Sequence, residues 1–433
     1  MLSRSLVVAL TVLALAGCSA GTSSVVTRSG LSAHVRATGP VQHVVILTME
    51  NRSFDEMFGM YPGVNGLNNR TTGCNPDPRT GTCLPPYHDT SLINHGGPHG
   101  VLGEAIDLDS GKLDGFIRSA EMPQRKSFNP YPTQVMGYHT CGELPVYCVL
   151  AQQGVLADNH FAATTSFSTM AHLYMVSAWS AKCSRLGDPM SCKSNNAINI
   201  HLQPPPDFAW TDITWLLHAN GVSWGYFVYD NKHPFEGDGD DEMPGPFDTF
   251  KKLGFWNPLP GFDDILLDNE TANIQRGTNF EADAAAGTLP AVSWVIPAAD
   301  SSDHPPADLG AGQQFVQDIV TAVQTGPDGP TTLIILNWDE WGGFYDHVVP
   351  PIIDGQGYGF RTPLILLGPM VKAGTIDHQL LSSDAYLKFI EDTFMNGARL
   401  DSTDGRPDSR PDVRENAPGL GDLRNDFNQA SSM

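Results

Sequence analysis

The sequence is poor in positive charge. Its 433 residues include 25 lysines and arginines against 48 aspartates and glutamates, which gives a formal net charge of −23 at pH 7. A field of this sign repels nucleic acid phosphates and disfavours a general binder of polyanions, so we expect no nucleic acid partner. The negative net charge is still compatible with binding of one phosphate group in a pocket that holds a metal ion, because a bound cation reverses the local field. No feature of the sequence predicts a protein partner.

The N-terminal region lacks an apolar run long enough to span a bilayer. Residues 6–15 are apolar and follow a single charge at Arg4, the pattern of an export signal. The segment closes with Leu-Ala-Gly-Cys, ending at Cys18, which resembles a bacterial lipobox and implies cleavage before Cys18 and acylation of its sulfur. An ordinary secretory signal with an incidental cysteine is the alternative.

This pattern predicts the fate of the N terminus. We expect residues 1–17 to be a signal peptide and residues 18–40, rich in Ser, Thr and Gly, to be a flexible tether. The protein would then be exported and anchored through the lipid on Cys18 outside the cytoplasmic membrane, in the cell envelope or periplasm, or be secreted.

The sequence has no Cys-x-x-Cys motif and no tight cluster of cysteine and histidine, which disfavours a structural zinc site. Without Cys18, six of the seven cysteines remain. Six cysteines allow about 15 pairings, and three local bridges in an oxidising compartment are the simplest of them. The close pairs are Cys74 with Cys83, Cys141 with Cys148, and Cys183 with Cys192.

No internal repeat or long linker divides the chain after the tether, which is long enough for one large α/β domain or two ordinary ones. The 43 glycines and 33 prolines predict long loops between the elements. We expect the folded domain to occupy residues 41–400. Residues 401–433 are charged and rich in proline, so we expect a poorly ordered tail.

Two short apolar runs are typical of buried parallel strands. Residues 44–47 (Val-Val-Ile-Leu) and residues 333–336 (Leu-Ile-Ile-Leu) show no polar alternation, as expected for strands covered on both faces. Ser53 stands three residues before Glu56, a capping-box spacing that predicts a helix start after the first run. A strand-to-helix turn with polar caps is therefore the simplest interpretation of that run taken alone.

Acidic and amide side chains follow both apolar runs. Two strand ends of this kind in one chain are a more specific signal of a binding site than one alone. Parallel strands present their carboxyl ends to one crevice, where ligands bind in open α/β sheets. Four side chains could enclose a cation there, with Ser168 as a fifth ligand, and oxygen donors suit calcium, magnesium or manganese. The four are Glu50, Asn51, Asp339 and Glu340.

A hydroxyl-rich segment, residues 164–169, precedes an apolar helical pattern. A plain helix N-cap is one interpretation. A helix N terminus is also where a nucleophilic hydroxyl would meet a phosphoryl group, because backbone N–H groups and the helix dipole favour the anion.

Three motifs resemble those of the phosphoesterase family, which holds bacterial phospholipases C, plant non-specific phospholipases C and a bacterial acid phosphatase. They are residues 50–55 (Glu-Asn-Arg-Ser-Phe-Asp), residues 303–306 (Asp-His-Pro-Pro) and residues 339–348 (Asp-Glu-Trp-Gly-Gly-Phe-Tyr-Asp-His-Val). The resemblance runs from about residue 41 to about residue 395. It implies an alkaline-phosphatase-like α/β fold, a three-layer sandwich with a central, mostly parallel sheet, and makes residues 41–400 the catalytic domain.

The resemblance also implies roles for single residues. Family metal ligands fall on Glu50, Asn51, Asp339 and Glu340. Substrate-facing histidines fall on His99 and His304, and His347 closes the third motif.

The implied nucleophile is a hydroxyl in a Gly-Pro-Thr-x-Pro-Asn-Arg-Leu-Tyr-like segment. Alignment on its Leu-Tyr places Ser168 at the position of the threonine. Phe167 replaces the proline before it, and residues 170–171 replace Pro-Asn, so Ser166 and Thr169 stay open as alternatives.

The resemblance predicts metal-dependent hydrolysis of phosphoric esters through a phosphoseryl enzyme. The phospholipase C reaction, which releases diacylglycerol and a phosphorylated headgroup from a phospholipid, is the first expectation, and apolar residues should then flank the site. Phe161, Phe167 and Trp179 are candidates, with ordinary core packing as the alternative. An acid phosphatase acting on soluble monoesters is the second expectation, favoured by the serine and by the lack of extra C-terminal domains. A catalytically inactive, ligand-binding surface lipoprotein is the third.

Overall fold

A computed structural model describes residues 39–67, 73–122, 129–200, 206–229, 253–401 and 407–428. The predictions for the signal peptide, Cys18 and most of the tether concern residues 1–38 and lie outside these ranges. The strands are β1 His43–Met49, β2 Asn75–Pro76, β3 Cys83–Leu84, β4 Tyr87–His88, β5 Gly137–Tyr138, β6 Val155–Ala157, β7 Ala181–Cys183, β8 Cys192–Ser194, β9 Trp224–Val228, β10 Ile274–Arg276, β11 Val292–Ile296, β12 Thr332–Trp338, β13 Leu364–Leu367 and β14 Thr375–Asp377. The α-helices are α1 Phe54–Phe58, α2 Val101–Leu108, α3 Phe116–Ala120, α4 Pro145–Gln153, α5 Ser168–Ser177, α6 Ile213–Ala219, α7 Asp263–Leu267, α8 Gly277–Ala286, α9 Leu309–Thr325 and α10 Ser383–Phe394.

Eight of these strands form one sheet in the order β10-β9-β11-β1-β12-β13-β6-β14. The pairs from β10 to β12 are parallel, β13 is antiparallel to both of its neighbours, and β14 is parallel to β6. The expected mixed, mostly parallel sheet is confirmed.

The sheet carries helices on both faces, because successive residues of a strand point to opposite sides. On β1, Val44 and Ile46 pack in the core formed with α5, α6 and α10. Val45 and Leu47 pack in the core formed with α4, α8 and α9. Full burial of one such side chain stabilises the fold by about 1.5–3 kcal/mol. Apolar side chains on both faces therefore hold β1 at the centre of a three-layer sandwich, as the sequence predicted.

The helix predicted to follow β1 is present as α1. Ser53 is its N-cap, and its hydroxyl accepts a hydrogen bond from the backbone N–H of Glu56. This is one half of the capping box that the spacing predicts. The short link between β1 and α1, residues 50–53, consequently leaves the sheet at its carboxyl edge.

Three disulfides join the three predicted pairs: Cys74–Cys83, Cys141–Cys148 and Cys183–Cys192. Each closes a short loop, and such bonds persist in oxidising compartments. The prediction of local bridges is confirmed. Among the helices of the described residues, none combines the length and the apolar character needed to traverse a membrane.

The prediction of a poorly ordered tail is wrong for residues 407–428. Arg410 is buried and donates hydrogen bonds to the carbonyls of Ser177 and Thr211. Arg414 is also buried and pairs with Asp354. Composition alone misses this segment because buried arginine hydrogen bonds anchor it together with a few apolar side chains, Leu423 and Phe427, that join the core.

Candidate active site

The site begins where β1 and β12 end. The two strands are parallel, and the register pairs Met49 with Trp338, so the next residues, Glu50 and Asp339, emerge side by side at the carboxyl edge. The backbone N–H of Asn51 donates to Asp339 Oδ1 at 2.9 Å. The expected meeting of two motifs that lie about 290 residues apart in sequence is therefore present in the structure.

Ser168 joins this edge from a different element. It is the first residue of α5 and is 1% exposed, and its Oγ donates to Asn51 Oδ1 at 3.2 Å. The amide nitrogen of Asn51 lies 3.4 Å from His99 Nε2, and His99 Nδ1 lies 2.9 Å from the Gly97 carbonyl. If Nδ1–H donates to that carbonyl, Nε2 is left to accept from the Asn51 amide. One chain of hydrogen bonds then orients Ser168, Asn51 and His99.

Close backbone contacts bring His99 to the site. Gly97 N–H donates to the Gly342 carbonyl at 2.8 Å. A Cβ on Gly342 would meet the Asn51 carbonyl at 2.2 Å, and one on Gly343 would meet Gly97 Cα at 2.4 Å. Both glycines also have positive φ, a conformation that other residues rarely adopt. The Gly-Gly pair of the third motif therefore packs closely between the His99 loop and Asn51, the second residue after β1.

Two further predicted residues lie beside His99. Glu340 Oε1 is 3.7 Å from His99 Nε2, and Glu340 Oε2 accepts from Gly342 N–H at 2.7 Å. The His304 ring stands edge-on to His99 with centroids 6.4 Å apart, and its Nδ1 lies 2.7 Å from the Pro305 carbonyl. The structure thus brings both histidines to the side of the site that faces Asn51.

His172 is a site residue that the sequence predictions missed. It lies on α5, four residues after Ser168, which places both side chains on one face of the helix. Its Nε2 is 2.8 Å from Glu50 Oε1, and burial lowers the pKa of His172 to about 3, so the ring is neutral at physiological pH. The four-residue spacing from a candidate nucleophile was the available signal.

The cluster fits a divalent cation. Glu50, His172 and Asp339 are buried, and each offers a ligand atom; these atoms lie within 4.8 Å of one another. Burial raises the pKa of Asp339, and hydrogen bonds with the Asn51 backbone, Ser168 and Glu50 oppose the rise. Two carboxylates, an imidazole, an amide and a hydroxyl are donors of the kinds that bind divalent metals in proteins.

His347 lies in a different cluster from the other predicted site residues. Its Nδ1 is 2.5 Å from Asp55 Oδ2, and Arg361 donates to both Asp55 and Asp346. All four side chains are nearly or fully buried. Breaking such a buried ion pair is costly, because the remaining partner would be an uncompensated charge. In the described part of the chain, no hydrogen bond, ion pair or ring contact links His347 to Glu50, Asp339 or Ser168. Its contacts tie the first and third motifs together.

A family model describes this arrangement of motifs. The model of the Phosphoesterase family matches residues 41–395, more than three quarters of the chain. The chain belongs to the Phosphoesterase family. It is accordingly a hydrolase of ester bonds, and the alternative of an inactive lipoprotein loses its support.

Curated relatives of this phosphoesterase carry matching names. Phospholipase C B of Mycobacterium tuberculosis is 27% identical over 413 residues, which cover 82% of this chain and 73% of the relative. Non-specific phospholipase C1 of Arabidopsis thaliana is 27% identical over 385 residues, covering 79% of this chain and 63% of the relative. A solved Vibrio parahaemolyticus protein of the alkaline phosphatase superfamily matches with 14% identity and a TM-score of 0.33, over 60% of this chain and 62% of its own. The fold assignment rests on the eight-stranded sheet described above.

Aromatic and aliphatic side chains surround the phosphoesterase site. Phe167 immediately precedes Ser168, is half-buried, and packs edge-on against Phe255 with centroids 6.4 Å apart. Val101 and Leu102, on the first turn of α2 just after the His99 loop, are 40% and 63% exposed.

Of the three apolar candidates, only Phe167 flanks the site. Phe161 is 2% exposed and stacks on Tyr358. Trp179 is 4% exposed and packs on Trp210. These two side chains are ordinary core residues.

Proposed function

We propose that this chain is an exported, cation-dependent phosphoesterase of the phospholipase C type that acts through a phosphorylated Ser168. The observation that carries the proposal is the pairing of β1 with β12. This pairing brings Glu50 and Asp339 together at the carboxyl edge of the sheet, with Ser168 at the N terminus of α5 beside them.

Ser168 is proposed as the nucleophile. Its Oγ attacks the phosphorus in line and the P–O bond to the leaving alcohol breaks, which leaves the phosphoryl group, with its headgroup when the substrate is a phospholipid, esterified to Ser168; water later hydrolyses that ester. Asn51 holds the hydroxyl in place, and the first backbone N–H groups of α5 face the negative phosphoryl oxygens. A divalent cation bound by Glu50 and Asp339, with Asn51, Glu340 and Ser168 as further donors, would lower the pKa of the serine hydroxyl and offset phosphoryl charge.

The histidines have separate proposed roles. As an imidazolium held at Nδ1 by the Gly97 carbonyl, His99 donates from Nε2 to a phosphoryl oxygen, in place of its contact with the Asn51 amide. His304 faces His99 and protonates the leaving alcohol. His347 was the alternative proton donor, but it lies in the separate cluster with Asp55, whereas His304 packs against His99, so we assign that step to His304.

A phospholipid is the proposed substrate class. Val101 and Leu102 present apolar surface beside His99, and Phe167 with Phe255 forms an aromatic wall beside Ser168. A soluble monoester would gain little from these side chains, whereas an acyl chain or a lipid surface would bury them. The phospholipase C names of the relatives agree with this choice.

Substrate comparison tests the choice. We expect faster hydrolysis of p-nitrophenyl phosphocholine, a diester, than of p-nitrophenyl phosphate, a monoester. We also expect Leu102→Ser to reduce hydrolysis of phospholipid vesicles by ~10- to 100-fold, from the loss of about 1.5–3 kcal/mol of apolar burial, with little effect on the soluble diester. Leu267→Ser, at a residue of α7 that is 74% exposed, is the matched control and should leave both rates unchanged. Preference for the monoester would favour the acid phosphatase reaction.

The three disulfides indicate an oxidising compartment, and we propose that a lipid on Cys18 holds the enzyme at the outer face of the cytoplasmic membrane or in the envelope. In the native host, Cys18→Ser should move the protein from the membrane fraction to the soluble fraction with its specific activity intact. Equal membrane association of both forms would contradict the anchor.

A further inference from the structure

His172, which was not among the site residues predicted from the sequence, lies within the candidate metal cluster. Its side chain is fully buried, and its Nε2 lies 2.8 Å from Glu50 Oε1. Its Nδ1 has no hydrogen-bond partner in the part of the chain that the structure describes. The contact with Glu50 is thus the ring's one hydrogen bond among those residues, and it points the imidazole into the cluster.

We propose that His172 Nε2 is a direct ligand of the site's cation, so that the donor set is mixed nitrogen and oxygen and selects a borderline first-row metal, such as manganese, iron, cobalt or zinc, over calcium and magnesium. This inference rests on the proposed cation at Glu50 and Asp339 and names its chemical class.

The spacing of the atoms supports ligation. Ligand atoms of Glu50, His172 and Asp339 lie within 4.8 Å of one another. Two ligands bound to one cation at about 2.0–2.2 Å and at right angles are about 3 Å apart. The 2.8 Å between His172 Nε2 and Glu50 Oε1 matches that separation, so both atoms can bind one ion without rearrangement of the backbone.

The chemistry of the residue supports the choice of metal. The family-like segment described above has arginine where this chain has His172, and a guanidinium has no lone pair to donate to a cation. A neutral imidazole adds a nitrogen ligand, which calcium and magnesium bind poorly and which zinc, iron and similar ions bind well. The substitution therefore changes the donor set and not only the packing.

Spectroscopy tests the ligand without relying on activity. We load the full-length protein with Mn²⁺ and record electron spin echo modulation, expecting nitrogen coupling from a directly bound imidazole. His172→Gln should lose that coupling and bind Mn²⁺ at least ~10-fold more weakly, while its Ca²⁺ affinity changes less. His99→Gln is the matched control and should retain the coupling. Glu50→Gln should lose the bound Mn²⁺, which assigns the signal to this site.

The outcomes separate this inference from the proposed function. Bound Mn²⁺ and cation-dependent turnover without nitrogen coupling in the wild-type protein would overturn the ligand and leave His172 as a hydrogen-bond donor to Glu50. Absence of any cation whose binding requires Glu50 would overturn the proposed metal site as well. The wild-type spectrum decides the question even if His172→Gln does not fold, and His172→Asn serves as a second variant.

Discussion

Ser168→Ala is expected to lower the hydrolysis rate of a chromogenic phosphate ester by about 10⁴-fold or more, because loss of a nucleophile leaves only the rate that binding and electrostatics supply. The hydroxyl is buried at the start of α5, and its hydrogen bond to Asn51 holds it beside Glu50 and Asp339. The variant should still fold, since removal of one oxygen leaves the apolar packing of α5 intact. Its melting temperature checks that point.

Two neighbouring hydroxyls provide matched controls. Ser166 Oγ donates to the Asn196 carbonyl at 2.6 Å, which turns it away from Asn51. Thr169 is the next residue along the helix and is also buried. Ser166→Ala and Thr169→Ala should each keep most of the activity. Near-normal turnover in Ser168→Ala, with loss in one of the other two, would move the nucleophile to that residue.

Removal of the cation is expected to inactivate the enzyme and to lower its melting temperature together. Glu50 and Asp339 are brought together in a buried pocket, where like charges repel strongly at low dielectric. A cation relieves the repulsion. At 100 times its Kd it would stabilise the folded state by about 2.7 kcal/mol, or roughly 3–4 °C in melting temperature for a domain of this size. Excess divalent metal should restore both properties after a chelator has removed it.

Charge-neutralising variants distinguish this effect from general chelator damage. Asp339→Asn should be inactive and should show no chelator-dependent shift. Without metal, it should melt at or above the wild-type protein, because one of the two repelling charges is gone. Asp318→Asn, on the exposed side of α9, is the control and should behave as the wild type does. If a chelator that strips tight sites leaves the melting and the activity of the wild type unchanged, the two strand ends do not form a metal site.

The centre of the molecule was predictable because the signals there are local. Residues 44–47 and 333–336 are apolar without alternation, as is typical of strands covered on both faces, and both form such strands, β1 and β12, which pair with each other. The Ser53 cap and the three close cysteine pairs also depend on residues near one another in sequence. Contacts between distant segments seldom change features of this kind, so predictions from the local sequence are reliable for them.

The parts that the sequence did not reveal depend on contacts between distant segments. The pairing of His347 with Asp55 and Arg361 joins α1 to two segments between β12 and β13, and no short pattern marks it. Arg410 and Arg414 anchor a segment whose composition is typical of a disordered tail. His172 is an intermediate case. Its four-residue spacing from Ser168 is visible in the sequence, but its contact with Glu50 is evident only from the structure, where Glu50 follows the end of β1.

The most direct measurement is the identity of the phosphorylated residue. The enzyme is quenched in acid during turnover of a phosphate ester, and the bound phosphate is mapped by peptide mass spectrometry. Phosphoserine at Ser168, absent from the Ser168→Ala protein, is the expected result. Phosphate on another side chain, or hydrolysis with no phosphopeptide when rapid mixing shows a burst of product equal to the enzyme present, would contradict the assignment of Ser168 as the nucleophile.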